Sequence, residues 1–304
     1  MKILRFAAID IGTNAIRLLF TNIIENGDGA IFKKSSITRV PIRLGTDVFT
    51  TGKISDKQAE KLTHAMIAFK HLMSVHDVVK YKACATSAMR EASNAKKIIR
   101  SVKNKSGIEI DVIDGKTEAE IIYNNRIVDA LDHNYPYLYV DIGGGSTEVT
   151  LFSGPKVIKS YSFNIGTIRL LNELVAPSET DLLKEWLSDI KNSYPDLKII
   201  GSGGNINKLL KISGKKELKP LPIKTLKDVY EYIKSYNYED RIKILGLNPD
   251  RADVIIPASD LLFKIVKWSG AKEIIVPKIG IADGIIKQIY KEYLEENNFS
   301  AKIN

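Results

Sequence analysis

Two segments of the chain share one pattern, and this repeat limits the possible folds more than any other feature of the sequence. Residues 8–14 read Ala-Ile-Asp-Ile-Gly-Thr-Asn, and residues 139–147 read Tyr-Val-Asp-Ile-Gly-Gly-Gly-Ser-Thr. In both, an apolar strand leads into Asp-Ile-Gly and a turn of small or hydroxyl-bearing residues, and a second alternating apolar run follows. This pattern predicts two β-hairpins, each with a tight turn at its tip.

The composition of these turns suits a phosphate group. Glycine lets backbone N–H groups approach an anion closely, and the aspartate can hold a metal ion or a water molecule. An ordinary hairpin whose glycines only supply positive φ is the alternative, but the duplication favours duplicated domains that close on a polyphosphorylated ligand. The candidate phosphate-binding residues are Asp10, Gly12, Thr13 and Asn14 in the first turn and Gly143, Gly144, Gly145, Ser146 and Thr147 in the second.

Two further segments have the composition of anion sites. Residues 201–204 read Gly-Ser-Gly-Gly between an apolar strand and a helix, so Gly203 and Gly204 are candidates for a site at a helix N-terminus. Residues 86–91 follow another strand and combine hydroxyl groups with Arg90, which suits phosphate oxygens. The structural alternatives are a tight strand-to-helix turn and a capped helix start with a surface ion pair.

Two carboxylates are candidates for the chemistry. Thr117 and Glu120 have the spacing of a capping box, which places Glu118 at the first helical position without a capping role. Glu118 lies between the two predicted domains in sequence, where a carboxylate can accept a proton from an attacking water. Glu148, just after the second turn, suits Mg²⁺ or a water. Each of these residues, taken alone, is better explained as a surface carboxylate.

The composition limits the class of protein. A chain of 304 residues can form two domains, and its net charge of +9 favours polyanionic partners. We find no nucleic-acid recognition motif and no apolar run of the ~20 residues that a membrane span needs, so neither partner is expected. The lysines are densest at Lys208, Lys211, Lys215, Lys216 and Lys219, which are consistent with either a solvated loop or the steering of a polyanion.

The cysteine and histidine residues point to no further chemistry. The single cysteine, Cys84, excludes an internal disulfide, is interpreted as a core residue of a strand, and fits a reducing cytoplasm. The N-terminus enters a strand directly and lacks a signal-peptide pattern, so we expect a cytoplasmic protein. The histidines, which lack the spacing of metal ligands, are His64, His71, His76 and His133.

Together these segments resemble the exopolyphosphatase/guanosine pentaphosphate phosphohydrolase (Ppx/GppA) family in its short two-domain form. The matching segments occur in the order of the family and cover nearly the whole chain. Most specific are Thr-Ser-Ala-Met-Arg-Glu-Ala at residues 86–92 and Asp-Ile-Gly-Gly-Gly-Ser-Thr-Glu at residues 141–148. The other matching segments are residues 8–14, 43–45, 118–119, 201–204 and 245–253.

The resemblance implies an α/β fold of two ribonuclease-H-like domains that face a central cleft, as in the actin/Hsp70/sugar-kinase superfamily. We expect the N-terminal domain at residues 1–124 plus 285–304 and the C-terminal domain at 125–284, by analogy with that fold. It also implies a Mg²⁺-dependent hydrolase that removes the terminal phosphate of inorganic polyphosphate or guanosine pentaphosphate. Glu118 aligns with the catalytic glutamate of the family, Asp141 and Glu148 with its metal site, and Arg90 with its phosphate-binding arginine.

Some positions depart from the family, and rival functions stay open. Thr13 and Ala15 replace the usual serines, Glu120 stands where a basic residue is common, and residues 281–284 lack the usual arginine. The alternatives are a preference for guanosine pentaphosphate, a kinase of the same fold, and a non-catalytic protein that binds polyphosphate or guanosine tetraphosphate. Family members often form homodimers, but the sequence indicates no interface.

Overall fold

The protein, described from a computed structural model, divides into two compact units. The structure describes residues 2–26, 29–123, 125, 132, 134–154 and 156–303. Unit 1 consists of Met1–Asn125 with Gly280–Asn304, and unit 2 consists of Arg126–Ile279. Unit 1 is therefore built from both ends of the chain, whereas unit 2 is a continuous segment.

Unit 1 is a mixed sheet covered by helices. Its strands are β1 (Lys2–Ile11), β2 (Ile16–Asn26), β3 (Gly29–Val40), β4 (Lys80–Ala85) and β5 (Asp111–Val112). Its helices are α1 (Leu44–Thr51), α2 (Asp56–Val75), α3 (Ser87–Glu91), α4 (Ala95–Ser106), α5 (Gly115–Tyr123) and, from the far end of the chain, the helix at Ile281–Ile303. The sheet order is β3-β2-β1-β4-β5, with β1 antiparallel to β2 and parallel to β4.

Unit 2 repeats this plan with a six-stranded sheet. Its strands are β6 (Pro136–Ile142), β7 (Thr147–Ser153), β8 (Lys156–Phe163), β9 (Lys198–Ser202), β10 (Leu221–Pro222) and β11 (Glu273–Ile275). Its helices are α6 (Thr167–Leu171), α7 (Pro177–Ser193), α8 (Gly204–Ile212), α9 (Ile223–Lys234), α10 (Tyr238–Lys243), α11 (Pro249–Ala252) and α12 (Ile255–Ser269), which makes the helix at Ile281–Ile303 α13.

The two sheets share one topology. In each, three antiparallel strands form a meander, and the first strand of the meander pairs in parallel with a later strand: β1 with β4, and β6 with β9. Parallel pairing requires a crossover connection, and helices supply it in both units. A three-stranded meander followed by parallel strands is the arrangement of a ribonuclease-H-like domain, so the predicted fold class is confirmed.

Buried apolar faces fix both sheets in place. In β1, Ala7, Ile9 and Ile11 face one core cluster, whereas Leu4, Phe6 and Ala8 face another that includes residues of α13. A strand that is apolar on both faces must be covered by helices on both sides. Cys84 belongs to the second cluster and is fully buried, as predicted, and its burial raises the pKa of the thiol to about 12.

Local side-chain contacts and proline set several helix ends. The Ser55 hydroxyl caps α2, because it accepts a hydrogen bond from the Gln58 amide. Asn94 precedes α4, but its side chain bonds the backbone of Ile54 and does not cap the helix. Helix α12 starts at Ile255, so Pro257 lies in its first turn, where proline is tolerated.

Gly284 lets α13 pack closely on α5. A Cβ at this position would lie 2.1 Å from the carbonyl oxygen of Ile121, well inside van der Waals contact. We therefore expect Gly284→Ala to reduce the free energy of unfolding by about 1–3 kcal/mol, measured by denaturant titration. Gly280→Ala is the matched control, since nothing lies within 4 Å of a Cβ there. Equal effects of the two substitutions would contradict this interpretation.

Candidate functional site

The first hairpin turn is held from one side by the segment that leads into α1. The amide of Gly12 closes the turn on the carbonyl of Ala15 (N to O, 3.2 Å). The next two carbonyls accept hydrogen bonds from this segment. The Gly45 amide donates to the carbonyl of Thr13 at 3.0 Å, and the Arg43 amide donates to the carbonyl of Asn14 at 3.1 Å. In a planar trans peptide the N–H points opposite to the preceding C=O. The amides of Asn14 and Ala15 therefore point away from this segment.

The absence of a side chain at Gly45 makes this contact possible. A Cβ there would lie 2.1 Å from Cγ2 of Thr13, which is buried. Arg43 has a positive φ of 55° and places the following residues against the turn. The Arg-Leu-Gly segment at 43–45, which carries part of the family resemblance, therefore supports the backbone of the first turn.

The second hairpin turn has the same construction. The Gly143 amide bonds the Ser146 carbonyl at 3.0 Å, at the position that Gly12 and Ala15 occupy in the first turn. Three consecutive carbonyls of this turn accept hydrogen bonds from the start of α6. The pairs are Gly143 with the Thr167 amide (3.0 Å), Gly144 with the Ile168 amide (2.8 Å) and Gly145 with Nε of Arg169 (2.8 Å).

These hydrogen bonds place the amides of the second turn on the side of the turn opposite to α6. Because the three carbonyls point at α6, the N–H groups of Gly144, Gly145 and Ser146 point away from it. Gly166 allows the approach, since a Cβ there would lie 2.4 Å from the backbone of Gly144. Consecutive backbone N–H groups on one side of a turn are suited to binding an anion.

The two hairpins differ in the residue opposite the aspartate. In unit 1, Asp10 pairs in register with Arg17, and its buried carboxylate lies 2.6 Å from a guanidinium nitrogen. In unit 2, Asp141 pairs in register with Glu148, so two carboxylates share one face of the strand pair. Like charges directly opposite each other destabilise a sheet unless a cation compensates them. The second hairpin therefore has the charge distribution of a cation site.

The surroundings of the two carboxylates in unit 2 are polar. One oxygen of the buried Glu148 accepts hydrogen bonds from Ser146 (2.6 Å) and Ser162 (2.9 Å). The Ser202 hydroxyl lies 3.2 Å from Oδ2 of Asp141. Gly203 has a φ of 100°, and a Cβ there would lie 2.9 Å from the other oxygen of Asp141. The 201–204 segment thus contacts the aspartate of the second hairpin.

Arg251 is a candidate that the sequence analysis did not single out. Its guanidinium nitrogen lies 2.7 Å from the position of a Cβ on Gly204, at the first residue of α8. The only sequence signal was its place in the 245–253 segment of the family resemblance. The structure brings Arg251, Gly203, Gly204 and Asp141 together within unit 2.

Glu118 lies in unit 1, but the sequence analysis misplaced the start of its helix. The predicted capping box at Thr117 and Glu120 is wrong. Helix α5 begins at Gly115, and the carboxylate of Asp114 accepts a hydrogen bond from the Thr117 amide at 2.7 Å. Glu118 is therefore the fourth residue of the helix, and another residue does the capping. Glu118 has no capping role, as predicted, but the reason is that Asp114 caps the helix.

Glu118 and Arg90 lie side by side. The Glu118 side chain is almost completely buried, and Oε2 is 3.8 Å from Nη1 of Arg90. The same guanidinium nitrogen donates to the carbonyl of Ile113 at 2.9 Å, which fixes its position. The structure therefore places a carboxylate, which can act as a proton acceptor, beside a fixed cation within unit 1.

The cap at Asp114 gives a test of how α5 starts. Hydrogen bonds from the Thr117 amide and side chain lower the pKa of Asp114 below its ordinary value of 3.8. Its charge therefore stabilises the fold above about pH 4, and this contribution disappears as the pH falls through the lowered pKa of the folded state. Asp114→Asn retains a capping oxygen without the charge. We expect the wild-type protein to have the higher thermal midpoint at about pH 6, and the difference to shrink below about pH 4.

A difference in thermal midpoint that is the same at all these pH values would contradict the assignment of Asp114 as a charged cap.

Comparisons with known proteins identify the family. Paired ribonuclease-H-like units, each with a glycine turn between its first two strands, define the class as the actin-like α/β fold. The chain matches the Ppx/GppA phosphatase family over residues 23–293, and it belongs to that family. The predicted family is therefore confirmed, and its enzyme class, a phosphatase, is the expected one.

Individual relatives agree with this assignment. The chain is 30% identical over 297 residues to a bifunctional 3-dehydroquinate synthase/phosphatase of Fusobacterium nucleatum. This alignment covers 89% of this chain but only 44% of that protein. The chain is 26% identical over 316 residues to exopolyphosphatase 2 of Mycobacterium tuberculosis, and this alignment covers 94% of this chain and 98% of that protein. The crystal structure of the Aquifex aeolicus family member superimposes on this chain with a TM-score of 0.75 and 27% sequence identity. The superposition covers 97% of this chain and 99% of that chain.

Two features are absent from the described part of the chain. Within the described part of the chain, no three histidine, cysteine, aspartate or glutamate side chains are grouped as a metal cage would require. Nor does any helix in the described ranges combine the length and the apolar character needed to cross a membrane.

Proposed function

We propose that this protein hydrolyses the terminal phosphoanhydride bond of inorganic polyphosphate. The observation that carries the proposal is the matched pair of hairpin turns. In each turn the carbonyls accept hydrogen bonds on one side, so consecutive N–H groups lie on the other side of the turn. The exopolyphosphatase of Mycobacterium tuberculosis, similar along almost its full length, supports the choice of substrate.

The reaction places few demands on a protein beyond position and charge. A phosphoryl group in transfer spreads negative charge over its oxygens, and fixed N–H groups and cations stabilise that charge. In this proposal the amides of Asn14 and Ala15 provide a phosphate site in unit 1, and those of Gly144, Gly145 and Ser146 provide a phosphate site in unit 2. Arg90, held by the carbonyl of Ile113, adds a cation for the same charge.

Glu118 is the general base of the proposed reaction. Its carboxylate orients a water for in-line attack on the terminal phosphorus and takes the proton as the new P–O bond forms. The bond to the bridging oxygen breaks, which leaves the shortened chain and inorganic phosphate. Burial of Glu118 supports this role, because a buried carboxylate has little competition from bulk water.

Asp141 and Glu148 fit a magnesium ion. Mg²⁺ prefers oxygen ligands and often binds through one or two carboxylates together with substrate phosphates. Two carboxylates opposite each other in register match that donor set better than a cage of protein ligands. Mg²⁺ there would offset charge on the phosphoryl group, while Ser146 and Ser162 orient the Glu148 carboxylate.

Guanosine pentaphosphate is the second candidate substrate, because the family is named for both activities. It carries a terminal phosphoanhydride of the same kind. A phosphate-release assay with long-chain polyphosphate, guanosine pentaphosphate and ATP, each with and without Mg²⁺, separates these substrates. Tight binding without phosphate release would indicate the non-catalytic alternative, and release only with an added acceptor would indicate a kinase.

We expect Glu118→Gln to lower kcat for phosphate release by roughly 100-fold or more, because the amide cannot accept the proton from water. The KM should change little, since the substrate is bound by other groups. Glu120→Gln is the matched control: Glu120 lies on the same helix and is exposed. Unchanged turnover in Glu118→Gln, or an equal loss in the control, would reject the role of general base.

We expect Glu148→Gln to raise the Mg²⁺ concentration for half-maximal phosphate release by about 10-fold or more, since it removes one charged ligand. A second readout is independent of turnover: Mg²⁺ should raise the thermal midpoint of the wild-type protein more than that of Glu148→Gln. Glu185→Gln, an exposed position of α7, is the control. Identical Mg²⁺ responses in all three proteins would exclude a metal at this position.

A further inference from the structure

One face of α8 carries a row of basic side chains. Helix α8 begins at Gly204 with Arg251 against it, and Lys208 and Lys211 follow at the spacing that places residues on one face of a helix. From Gly204 to Lys211 the row extends for about 10 Å along the helix axis. A single phosphoryl group is much shorter than this row.

The row begins at the second hairpin turn. Gly203, the residue before α8, lies against Asp141 and within 3.4 Å of the Ile142 carbonyl, measured from its Cβ position. An anion bound at the turn would therefore have the start of α8 as its neighbour within unit 2. The lysines follow in the direction that leads away from the turn.

Lys208 is fixed within this row. Its Nζ donates to the carbonyls of Leu245 at 3.0 Å and Gly246 at 3.3 Å, in the segment that leads into α11 and Arg251. Burial lowers the pKa of Lys208, and the positive charges of Lys211 and Arg251 lower it further. Lys208 therefore lies in the positive field of both neighbours, and a polyanion that lies along the row would offset this field.

We infer that Lys208 and Lys211 bind the internal phosphates of a linear polyphosphate whose end lies at the second hairpin turn. This inference rests on the proposed function and specifies its substrate. Each added phosphate of a linear chain brings another negative charge to the row. In guanosine pentaphosphate the run of phosphates ends in a sugar and a base, so the row favours the linear chain.

The test uses Lys211→Gln and Lys211→Glu, since Lys211 is exposed, whereas Lys208 donates to the 245–246 segment and its loss would also disturb the fold. We expect the KM for long-chain polyphosphate to rise about 3- to 5-fold in Lys211→Gln and further in Lys211→Glu. The increase for tripolyphosphate and for guanosine pentaphosphate should be smaller, because neither reaches along the row. The effect should weaken at high salt, as expected for ionic contacts.

Lys184→Gln is the control, because it removes the same charge from an exposed position of α7 in the same unit. An equal rise in KM in this control, or equal effects of Lys211→Gln on long-chain polyphosphate, tripolyphosphate and guanosine pentaphosphate, would overturn the inference. If the wild-type protein releases no phosphate from any polyphosphate, the proposed function fails. Binding of labelled long-chain polyphosphate at equilibrium then tests the row by itself, with the same order of variants expected.

Discussion

The orientation of the peptide groups in the two hairpin turns is the constraint on which the rest of the site depends. Each turn has its carbonyls engaged from one side, by residues 43–45 in unit 1 and by the start of α6 in unit 2. Planar peptides then force the intervening N–H groups to the other side. Backbone amides and, at Gly145, the Arg169 side chain supply these hydrogen bonds, so the N–H groups are held in position by the protein itself.

Duplication supplied the scaffold, and a single position gave the two halves different electrostatics. Arg17 and Glu148 occupy equivalent places opposite Asp10 and Asp141. In the first hairpin the aspartate is paired with an arginine, whereas in the second it lies opposite another carboxylate. One fold repeated twice can thus differ in charge at equivalent positions without any change in backbone topology.

The sequence predicted those features that depend on local patterns. The hairpins and the glycine turn before α8 follow from short-range periodicity and turn composition. The predicted start of α5 was wrong because Asp114 and Thr117, which lie close together in the chain, are both suitable capping residues. The contacts of Thr167 with Gly143, and of Arg251 with Gly204, join segments far apart in the chain, and no local pattern encodes them. The pairing of Asp141 with Glu148, by contrast, could have been derived from the hairpin register.

The packing of α13 has a consequence for the order in which the protein matures on the ribosome. Ala282, Ile285 and Ile289 of this helix complete the cluster around Phe6, which lies on β1, a strand that is synthesised long before α13. Unit 1 therefore cannot complete its core until α13 has been made, after the whole of unit 2. The continuous segment 126–279 has no such dependence and can fold while translation proceeds. During that interval the apolar face of β1 lacks the cover that α13 provides, and exposed apolar strands favour aggregation.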